Sequence, residues 1–335
     1  MKVAVIGAGS WGTAVARALG NKGYATSLWC HTSSVADAIN EQHRNPRYLC
    51  DIDLPGTLTA TASFQEAVEG AAAVFNVTPS YAARETARSI APYLGPTTPV
   101  AMLSKGVEKG TGCLLTQVLE QELGNPARIA AISDPNHAEE VSRDIPSATV
   151  VASVDPACAA FFQELLMSPS LRVYTSHDVT GVEICAAAKN IVAIFNGASC
   201  ALGYGDNTSA MIMTRGLAEM SRLVLALGGD PLTCQGLAGM GDLIATCPAR
   251  HSRNRSLGAL SARGGTLEEF TARTHMVAEG ANAAITVTDL AREHGVELPL
   301  AQALRAILWE GAAVEDVVYD LMMRPPKAEL AGLEE

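Results

Sequence analysis

The sequence predicts an α/β fold, built on a doubly wound parallel sheet, followed by an all-α domain. Three observations support this prediction. A short apolar run at the N-terminus passes through three glycines into a helical pattern, strand and helix patterns then alternate to about residue 177, and no strand pattern follows Asp178. Alternating strands and helices are typical of a parallel sheet with helices on both faces. We therefore expect a first domain over residues 1–177 and a second over residues 178–335.

The first strand, over residues 3–6, is a continuous apolar run, which is typical of a strand buried on both faces. Gly7, Gly9 and Gly12 follow it at G-x-G-x-x-G spacing and open a helix. In this motif the first glycine permits a tight turn, the second lets the backbone approach a pyrophosphate, and the third lets the helix pack closely on its strand. The positive end of the helix then attracts the anion. Because both flanking elements are recognisable, the pattern predicts a Rossmann-type dinucleotide site rather than a plain turn.

The end of the second strand, over residues 26–29, indicates which dinucleotide is bound. NAD-preferring sites place an Asp or Glu there, about twenty residues after the turn, to hold the ribose 2′-hydroxyl. Here His31, Thr32 and Ser33 occupy that region, and the first acid, Asp37, comes too late. Without a carboxylate to repel a 2′-phosphate, we expect NADPH to be favoured and NADH to be the other candidate. His31 is either a donor to that phosphate or a solvent-exposed loop residue.

The remaining elements of the first half follow the same alternation. The patterns predict helices at 64–68, 82–93 and 114–123, and strands at 73–77, 100–103, 129–132, 149–152 and 172–175. Lys105 and the loop that begins at Ser133 each come directly after one of these strands. Ligands of open parallel sheets bind outside the carboxyl ends of the strands. We therefore expect Lys105 and this loop to lie near a bound ligand.

The pattern of the second half predicts a series of helices. Asp178 is expected to cap a helix that runs to about residue 201, and Asp206 or Asn207 to cap another over residues 209–227. Further helices are expected at 266–271, 281–293, 300–311 and 314–323.

Three polar features interrupt this helical half. Lys189 stands in an Ala-rich helix, where it is either an edge residue reaching for water or a buried amine suited to proton transfer. Asp242 lies in a glycine-rich loop and is either a plain helix cap or a group held close to a partner. Residues 250–255 contain three arginines and form either a solvated loop or an oxyanion site, because Arg makes bidentate contacts with phosphate.

Composition excludes several classes of partner. The net charge of −11 argues against nucleic acid and anionic membrane surfaces. The most apolar long stretch, residues 181–203, contains Glu183 and Lys189, so we expect no membrane insertion. The eight cysteines are scattered and form no C-x-x-C pair, so we expect no metal site. Scattered free cysteines also indicate a reducing cytoplasm. As partners we expect a small substrate and a second copy of the chain in a homodimer.

Several motifs resemble those of the bacterial-type NAD(P)-dependent glycerol-3-phosphate dehydrogenases. They lie at residues 7–13, 104–106, 181–190, 205–207, 214–220, 236–243, 252–254 and 279–280. The resemblance runs over nearly the whole chain and implies a Rossmann domain plus a helical domain like that of 6-phosphogluconate dehydrogenase. It implies an enzyme that interconverts dihydroxyacetone phosphate and sn-glycerol 3-phosphate by hydride transfer with NAD(P)H, feeding glycerophospholipid biosynthesis.

The resemblance also implies roles for individual residues. Lys189 would be the general acid and base. Substrate contacts would come from Lys105, Asp134, Asn136, Asp242, Ser252, Arg253 and Asn254. Cofactor contacts would come from Gly7, Gly9, Ser10, Trp11, Gly12, His31, Lys105, Ala138, Arg253, Val277 and Glu279. Two positions depart from the family pattern, since His31 stands where the family usually has Arg and Asp134 where it has Gly. We expect Asp134 to leave a working enzyme with weakened substrate affinity.

Two other functions are compatible with the same residues. A related 3-hydroxyacid or 6-phosphogluconate-type dehydrogenase would bind a carboxylate substrate on the same basic loop. A protein that binds NADPH without turnover is the second alternative, suggested by Asp134.

Overall fold

The computed structural model describes residues 1–133, 135–249, 252–274 and 278–333. The chain forms two compact units. The first contains Met1–Ser104 and Leu115–Val179, and the second contains Lys105–Leu114 and the chain from Thr180 onward. The short segment Lys105–Leu114 therefore belongs to the second unit, although in sequence it lies inside the first.

The first unit is built on one sheet. Its eight strands in the described residues are Lys2–Ile6 (β1), Ala25–Trp29 (β2), Leu58–Thr61 (β3), Ala73–Asn76 (β4), Val100–Met102 (β5), Ile129–Ser133 (β6), Ser147–Ala152 (β7) and Leu171–Ser176 (β8). They lie in the order β3-β2-β1-β4-β5-β6-β7-β8. The first six follow the order of a Rossmann-type doubly wound sheet. The predicted fold class is confirmed.

Helices cover both faces of this sheet. They are Ser10–Asn21 (α1), Ser33–Gln42 (α2), Phe64–Val68 (α3), Ala83–Ile90 (α4), Leu115–Leu123 (α5), Ala138–Val141 (α6) and Pro156–Leu166 (α7). Val3 and Val5 of β1 face one apolar cluster, which includes residues of α1, α2 and α7. Ala4 and Ile6 face another, which includes residues of α3, α4 and α5. Because alternate residues of β1 enter opposite cores, its sequence is apolar throughout.

One pair of neighbouring strands in this predominantly parallel sheet is antiparallel. β7 runs antiparallel to β6, with Ile132 opposite Val151, and β8 runs parallel to β7. The connection between β6 and β7 contains the four-residue helix α6. A parallel neighbour requires a full crossover, usually with a longer helix, whereas an antiparallel neighbour does not. The strand and helix patterns alone do not reveal this reversal.

The glycine turn after β1 brings backbone against backbone. Gly7 has φ of +118°, a conformation that other residues rarely adopt. A Cβ at Gly12 would lie 1.8 Å from the carbonyl oxygen of Gly7. Only glycine therefore fits where α1 starts against this turn.

The second unit is helical. Its helices in the described residues are Val179–Ala201 (α8), Asp206–Ala226 (α9), Asp242–Thr246 (α10), Arg253–Ser261 (α11), Leu267–Thr274 (α12), Glu279–Glu293 (α13), Pro299–Trp309 (α14) and Val314–Met322 (α15). The expected capping of α9 by Asp206 or Asn207 is wrong, because Gly205 is the N-cap and the helix starts earlier. Asp206 then lies in the first turn, where its negative charge interacts favourably with the positive end of the helix dipole.

Helix α8 is the centre of this unit. Every residue from Gly181 to Ser199 is buried. Neighbouring helices approach it closely: a Cβ at Gly258 of α11 would lie 1.9 Å from the carbonyl oxygen of Ile194, and a Cβ at Gly216 of α9 would lie 2.4 Å from Val192. Among the described helices, α8 is the one long and apolar enough to cross a membrane, but 89% of its most apolar window is buried inside the protein.

Alanine in place of Gly12 should destabilise the first unit. The added methyl group would overlap the Gly7 carbonyl oxygen, so the start of α1 must shift, at a cost of about 1–3 kcal/mol or more in the free energy of unfolding. Gly9→Ala is the matched control, because its Cβ would meet no atom within 4 Å. Urea unfolding of both variants checks this. Equal unfolding midpoints for the two would contradict it.

Candidate active site

Lys189 lies inside the helical unit. It belongs to α8 and is 4% exposed, so it is the buried amine and not an edge residue that reaches for water. Its Nζ atom lies 2.8 Å from Oδ2 of Asp242 and donates a hydrogen bond of 3.0 Å to Oγ1 of Thr246. A buried ammonium group is stable only with such partners. The α8 helix therefore holds one positive charge in a fixed position.

Asp242 is held by its own helix. Gly241 is the N-cap of α10 and Asp242 is the first helical residue, so the plain-cap interpretation of Asp242 is wrong. One turn later, Oγ1 of Thr246 donates a 2.9 Å hydrogen bond to Oδ1 of Asp242. Just before the helix, Gly239 packs so closely that a Cβ there would lie 2.1 Å from the carbonyl oxygen of Cys234. Leu237–Gly241, which contains Gly239, is a π-helical segment that runs directly into α10, and its close backbone packing positions the carboxylate.

Lys105 brings a second ammonium group to the same oxygen. Its Nζ atom lies 3.4 Å from Oδ2 of Asp242, and its side chain is 20% exposed. It follows β5 by three residues and precedes a short bridge between Val107 and Leu114. We call Lys105, Lys189, Asp242 and Thr246 the lysine cluster.

The lysine cluster shifts the proton affinities of its members. The pKa of Lys105 is lowered to about 7, mainly by burial; Asp242 opposes this shift and the nearby Lys189 adds to it. Burial alone would raise the pKa of Asp242, but Lys105, Lys189 and the hydrogen bonds hold it well below its usual range. Asp242 therefore stays ionised at neutral pH. With both lysines protonated the cluster has a formal charge of +1, which suits an oxygen that carries or develops negative charge.

The N-terminus of α11 contains three more of the predicted substrate residues. Ser252 is its N-cap and accepts a 3.2 Å hydrogen bond from the backbone N–H of Arg255. Arg253 is exposed in the first turn. Asn254 donates to Oδ1 of Asn190 at 2.8 Å. Since Asn190 follows Lys189 in α8, this bond ties the start of α11 to the lysine cluster. Arg250 and His251 lie outside the described residues.

The N-terminus of α1 fits a dinucleotide pyrophosphate. Gly9 is its N-cap, no side chain caps the helix, and a Cβ at Gly9 would meet no described atom within 4 Å. Ser10 and Trp11 form the first turn. Asn45 holds the turn in place, because its Nδ2 atom donates to the carbonyl oxygen of Ala8 and to Oγ1 of Thr13. Open space in front of unsatisfied N–H groups is what an anion needs.

His31 is exposed and lies two residues after the end of β2. Its ring makes an edge contact with Trp29, with centroids 6.1 Å apart. Thr32 is the N-cap of α2 but makes no side-chain capping bond, so the start of a second helix lies beside His31. The region around His31 therefore offers hydrogen-bond donors, and the nearest acid along the chain, Asp37, lies on α2.

The remaining predicted residues fall in several places. Asn136 is buried, and its Nδ2 atom donates to Oγ1 of Thr149 on β7. Ala138 begins α6 and is buried, and Glu279 begins α13 in the helical unit. Asp134 and Val277, predicted for substrate and cofactor respectively, lie outside the described residues.

Two polar residues were missed by the sequence prediction. Thr246 was detectable in principle, since it lies four residues after Asp242 and so on the same helix face. Asn45 gave no local signal, because its partners Ala8 and Thr13 are more than thirty residues away. Within the described residues no group of three His, Cys, Asp or Glu side chains could hold a metal ion.

A Rossmann-type sheet with a glycine turn, joined to a helical unit with a buried lysine–carboxylate cluster, is typical of NAD(P)-dependent dehydrogenases. The family profiles of the NAD-dependent glycerol-3-phosphate dehydrogenase N-terminus and C-terminus match residues 2–159 and 178–319. The chain belongs to the NAD-dependent glycerol-3-phosphate dehydrogenase family, and the resemblance seen in the motifs is confirmed.

Individual relatives are similar in sequence over nearly the whole chain. The glycerol-3-phosphate dehydrogenase (NAD(P)+) of Chlorobium limicola is 45% identical over 98% of this chain and 100% of its own length. That of Moorella thermoacetica is 44% identical over 96% of both chains. The crystal structure of glycerol-3-phosphate dehydrogenase from Coxiella burnetii superimposes with a TM-score of 0.92 at 37% identity, covering 96% of this chain and 99% of that one. These comparisons give no support to the alternative functions.

Asparagine in place of Asp242 should destabilise the helical unit. The change leaves two ammonium groups without their shared carboxylate, and loss of one member of a buried ion pair costs about 3–5 kcal/mol. Adding Lys189→Met to the same chain should recover part of this loss, because it removes one uncompensated charge. Urea unfolding of the single and double variants measures both effects. A double variant less stable than Asp242→Asn would contradict the explanation.

Proposed function

We propose that this protein interconverts dihydroxyacetone phosphate and sn-glycerol 3-phosphate with NADPH or NADH. The observation that carries the proposal is the buried ammonium group of Lys189, 2.8 Å from Asp242. Membership of the family and relatives named as NAD(P)+-dependent glycerol-3-phosphate dehydrogenases support it. A spectrophotometric assay with dihydroxyacetone phosphate and each cofactor in turn tests it, and the absence of oxidation with either cofactor would overturn it.

Lys189 is proposed as the general acid and base. When dihydroxyacetone phosphate is reduced, negative charge develops on the oxygen at C2. An ammonium group at that oxygen stabilises the charge and donates the proton, and the neutral amine accepts it in the reverse direction. Asp242 and Thr246 orient the ammonium group through their bonds of 2.8 and 3.0 Å. Bound nicotinamide would supply the hydride.

Lys105 and the start of α11 are proposed to hold the substrate. Lys105 is the more exposed lysine of the cluster, with 20% of its side chain accessible, so an anionic substrate can reach it. Arg253 is exposed on the first turn of α11, where a guanidinium group and the positive helix end both favour phosphate. Ser252 and Asn254 fix this turn through their hydrogen bonds. Binding energy from the phosphate then aligns C2 for the reaction.

The first unit is proposed to bind the cofactor. The uncapped N-terminus of α1 and the open space at Gly9 would take the pyrophosphate. His31 and the start of α2 would take a 2′-phosphate. The roles of Ala138, Glu279, Val277 and Asn136 remain proposals from the family resemblance. A weakening of substrate affinity by Asp134 also remains a proposal, and it rests on the negative charge that replaces the family's Gly.

We also propose a cytoplasmic homodimer that supplies glycerol 3-phosphate for glycerophospholipid synthesis. The eight free cysteines are consistent with a reducing compartment. Trp309, Tyr319 and Met323 are large apolar side chains that are 45–65% exposed on the helical unit, and a second copy of the chain could cover them.

Methionine in place of Lys189 should lower kcat at least about a hundredfold, because both the proton donor and the stabilising charge are lost. NADPH affinity, measured by fluorescence titration, should stay nearly unchanged. Lys109→Met, which removes an exposed lysine of the same unit, is the control and should keep normal turnover. Near-normal kcat in Lys189→Met would disprove the assigned role.

The rate should depend on pH through Lys105. Because its pKa is lowered to about 7, the ammonium form is present below pH 7 and is lost as the pH rises. We expect kcat/KM for dihydroxyacetone phosphate to fall above pH 7, approaching about tenfold per pH unit. Lys105→Arg keeps its charge at high pH and should lose this descending limb. If kcat/KM falls above pH 7 in the same way in the wild type and in Lys105→Arg, the ionisation belongs to another group.

Aspartate in place of His31 should shift the cofactor preference toward NADH. A carboxylate at the end of β2 repels a 2′-phosphate and can accept a hydrogen bond from a ribose 2′-hydroxyl. We expect KM for NADPH to rise by about tenfold while KM for NADH changes little. Steady-state kinetics with both cofactors measures the shift. A wild-type enzyme that uses only NADH would refute this account of His31.

A further inference from the structure

The two lysines of the lysine cluster differ in how tightly they are held. Nζ of Lys189 lies 2.8 Å from Oδ2 of Asp242 and donates a hydrogen bond to Thr246, and the Lys189 side chain is 5% exposed. Nζ of Lys105 lies 3.4 Å from the same oxygen, and its side chain is 20% exposed. The shorter ion pair stabilises the proton of Lys189 more strongly. Lys105 is therefore the amine that releases its proton first and the one that a molecule from solvent can reach.

One carboxylate cannot neutralise both ammonium groups. Asp242 offsets one positive charge, so the second ammonium group lies beside an uncompensated like charge and loses its proton more readily. The pKa of Lys105 agrees, since it is lowered to about 7, mainly by burial, with Asp242 opposing the shift and Lys189 adding to it. About half of the Lys105 side chains are then neutral at pH 7. A lysine beside a second cation is one way in which proteins obtain a nucleophilic amine.

The chain has few competing amines. Its six lysines are Lys2, Lys22, Lys105, Lys109, Lys189 and Lys327. Lys2 and Lys22 each donate two hydrogen bonds to backbone carbonyl oxygens, and Lys109 and Lys327 are exposed. Hydrogen bonds to carbonyl oxygens and contact with water both favour the ammonium form, which cannot attack a carbonyl group. Partial burial also lowers the pKa of Lys22, against the opposing charge of Glu164, so Lys22 is the internal comparison.

We propose that Lys105 is a site of reversible covalent modification by an aldehyde that carries a phosphate group. The neutral Nζ atom forms a bond to the carbonyl carbon, and one of its protons moves to the carbonyl oxygen to give a carbinolamine. The hydroxyl group then leaves with the second proton as water, and a C=N bond forms. No oxidant or reductant is consumed. The ammonium group of Lys189, at the same carboxylate oxygen, stabilises the negative charge that develops on the aldehyde oxygen.

The phosphate group directs the aldehyde to this amine. Arg253 is exposed on the first turn of α11, where a guanidinium group and the positive end of the helix both attract a phosphate. Asn254 ties this turn to Asn190, the neighbour of Lys189 in α8. This selectivity rests on the phosphate contacts proposed above, whereas the reactivity of Lys105 does not. A bound aldehyde occupies the place of the substrate, so modification should inhibit the reduction of dihydroxyacetone phosphate.

Peptide mass spectrometry of the full-length protein after incubation with glyceraldehyde 3-phosphate and sodium cyanoborohydride tests the proposal, because the reductant fixes an imine as a stable secondary amine. At neutral pH we expect Lys105 to be modified at least about tenfold faster than Lys22 or Lys109. Glyceraldehyde, which lacks the phosphate, should modify Lys105 at least about tenfold more slowly. Faster modification of another lysine would overturn the proposal. Equal rates with both aldehydes would overturn its phosphate selectivity.

The label forms without NADPH and without turnover. A protein that is modified at Lys105 but does not reduce dihydroxyacetone phosphate would refute the proposed function alone. An active enzyme that is not modified at Lys105 would refute this inference alone.

The pH dependence distinguishes an amine perturbed by its neighbours from one that is merely accessible. The charged groups that face Lys105 in the lysine cluster are Lys189 of α8 and Asp242 of α10. Nα-acetyl-lysine in the same solution serves as the unperturbed amine. The rate at Lys105 relative to this reference should be constant below pH 7 and fall above it, approaching about tenfold per pH unit. A ratio that does not change with pH would overturn the role of the cluster.

Lys189→Met and Lys109→Met form a matched pair of variants. Lys189→Met leaves Asp242 to Lys105 alone, so Lys105 keeps its proton to higher pH, and modification at neutral pH should slow at least about tenfold. Lys109→Met removes an exposed lysine of the same segment and should leave the rate at Lys105 unchanged. Thermal unfolding shows whether both variants are folded, and the pH profile of the wild type decides the question if Lys189→Met is not. An unchanged rate in folded Lys189→Met would overturn the proposal.

Discussion

Two ammonium groups share one buried carboxylate oxygen, and the helical unit is arranged around that constraint. Lys189 and Lys105 lie 2.8 and 3.4 Å from Oδ2 of Asp242. Transfer of each ion from water into a protein interior costs several kcal/mol, which the mutual attraction offsets only if the geometry is held. Thr246 holds it, since its hydroxyl accepts from Lys189 and donates to Asp242. The result is a positive site that is in place before any substrate arrives.

Close helix packing keeps this site rigid. Gly197 of α8 faces the carbonyl oxygen of Arg255, and Gly258 of α11 faces that of Ile194, so the two helices approach backbone to backbone. The same approach sets Asn254 against Asn190. A side chain at either glycine would separate the helices and move the start of α11 away from α8. Small residues far from the reacting atoms therefore determine where the proposed phosphate contacts lie.

The sequence predicted local elements well and long-range relations poorly. The β1–turn–α1 unit follows from the period of its apolar residues and the glycine spacing, because both act within a few residues. The reversal of β7 depends on a connection that returns at the same end of the sheet instead of crossing it, which no strand pattern records. Lys189 and Asp242 were each identified, but their direct contact joins residues 53 positions apart and needed the fold. Thr246 shows the converse, since helix spacing alone was enough to place it beside Asp242, although the sequence prediction missed it.

The segment Lys105–Leu114 belongs to the helical unit although it lies within the first unit in sequence, and this has an evolutionary consequence. The polypeptide passes from one unit to the other after Ser104, after Leu114 and after Val179. A recombination event that exchanged only the C-terminal half of the gene would carry Lys189 and Asp242 but leave Lys105 behind. The two units are thus compact in space without being independent as inherited modules. Exchange of the helical unit between relatives would preserve the lysine cluster only if the ten-residue segment Lys105–Leu114 were exchanged together with it.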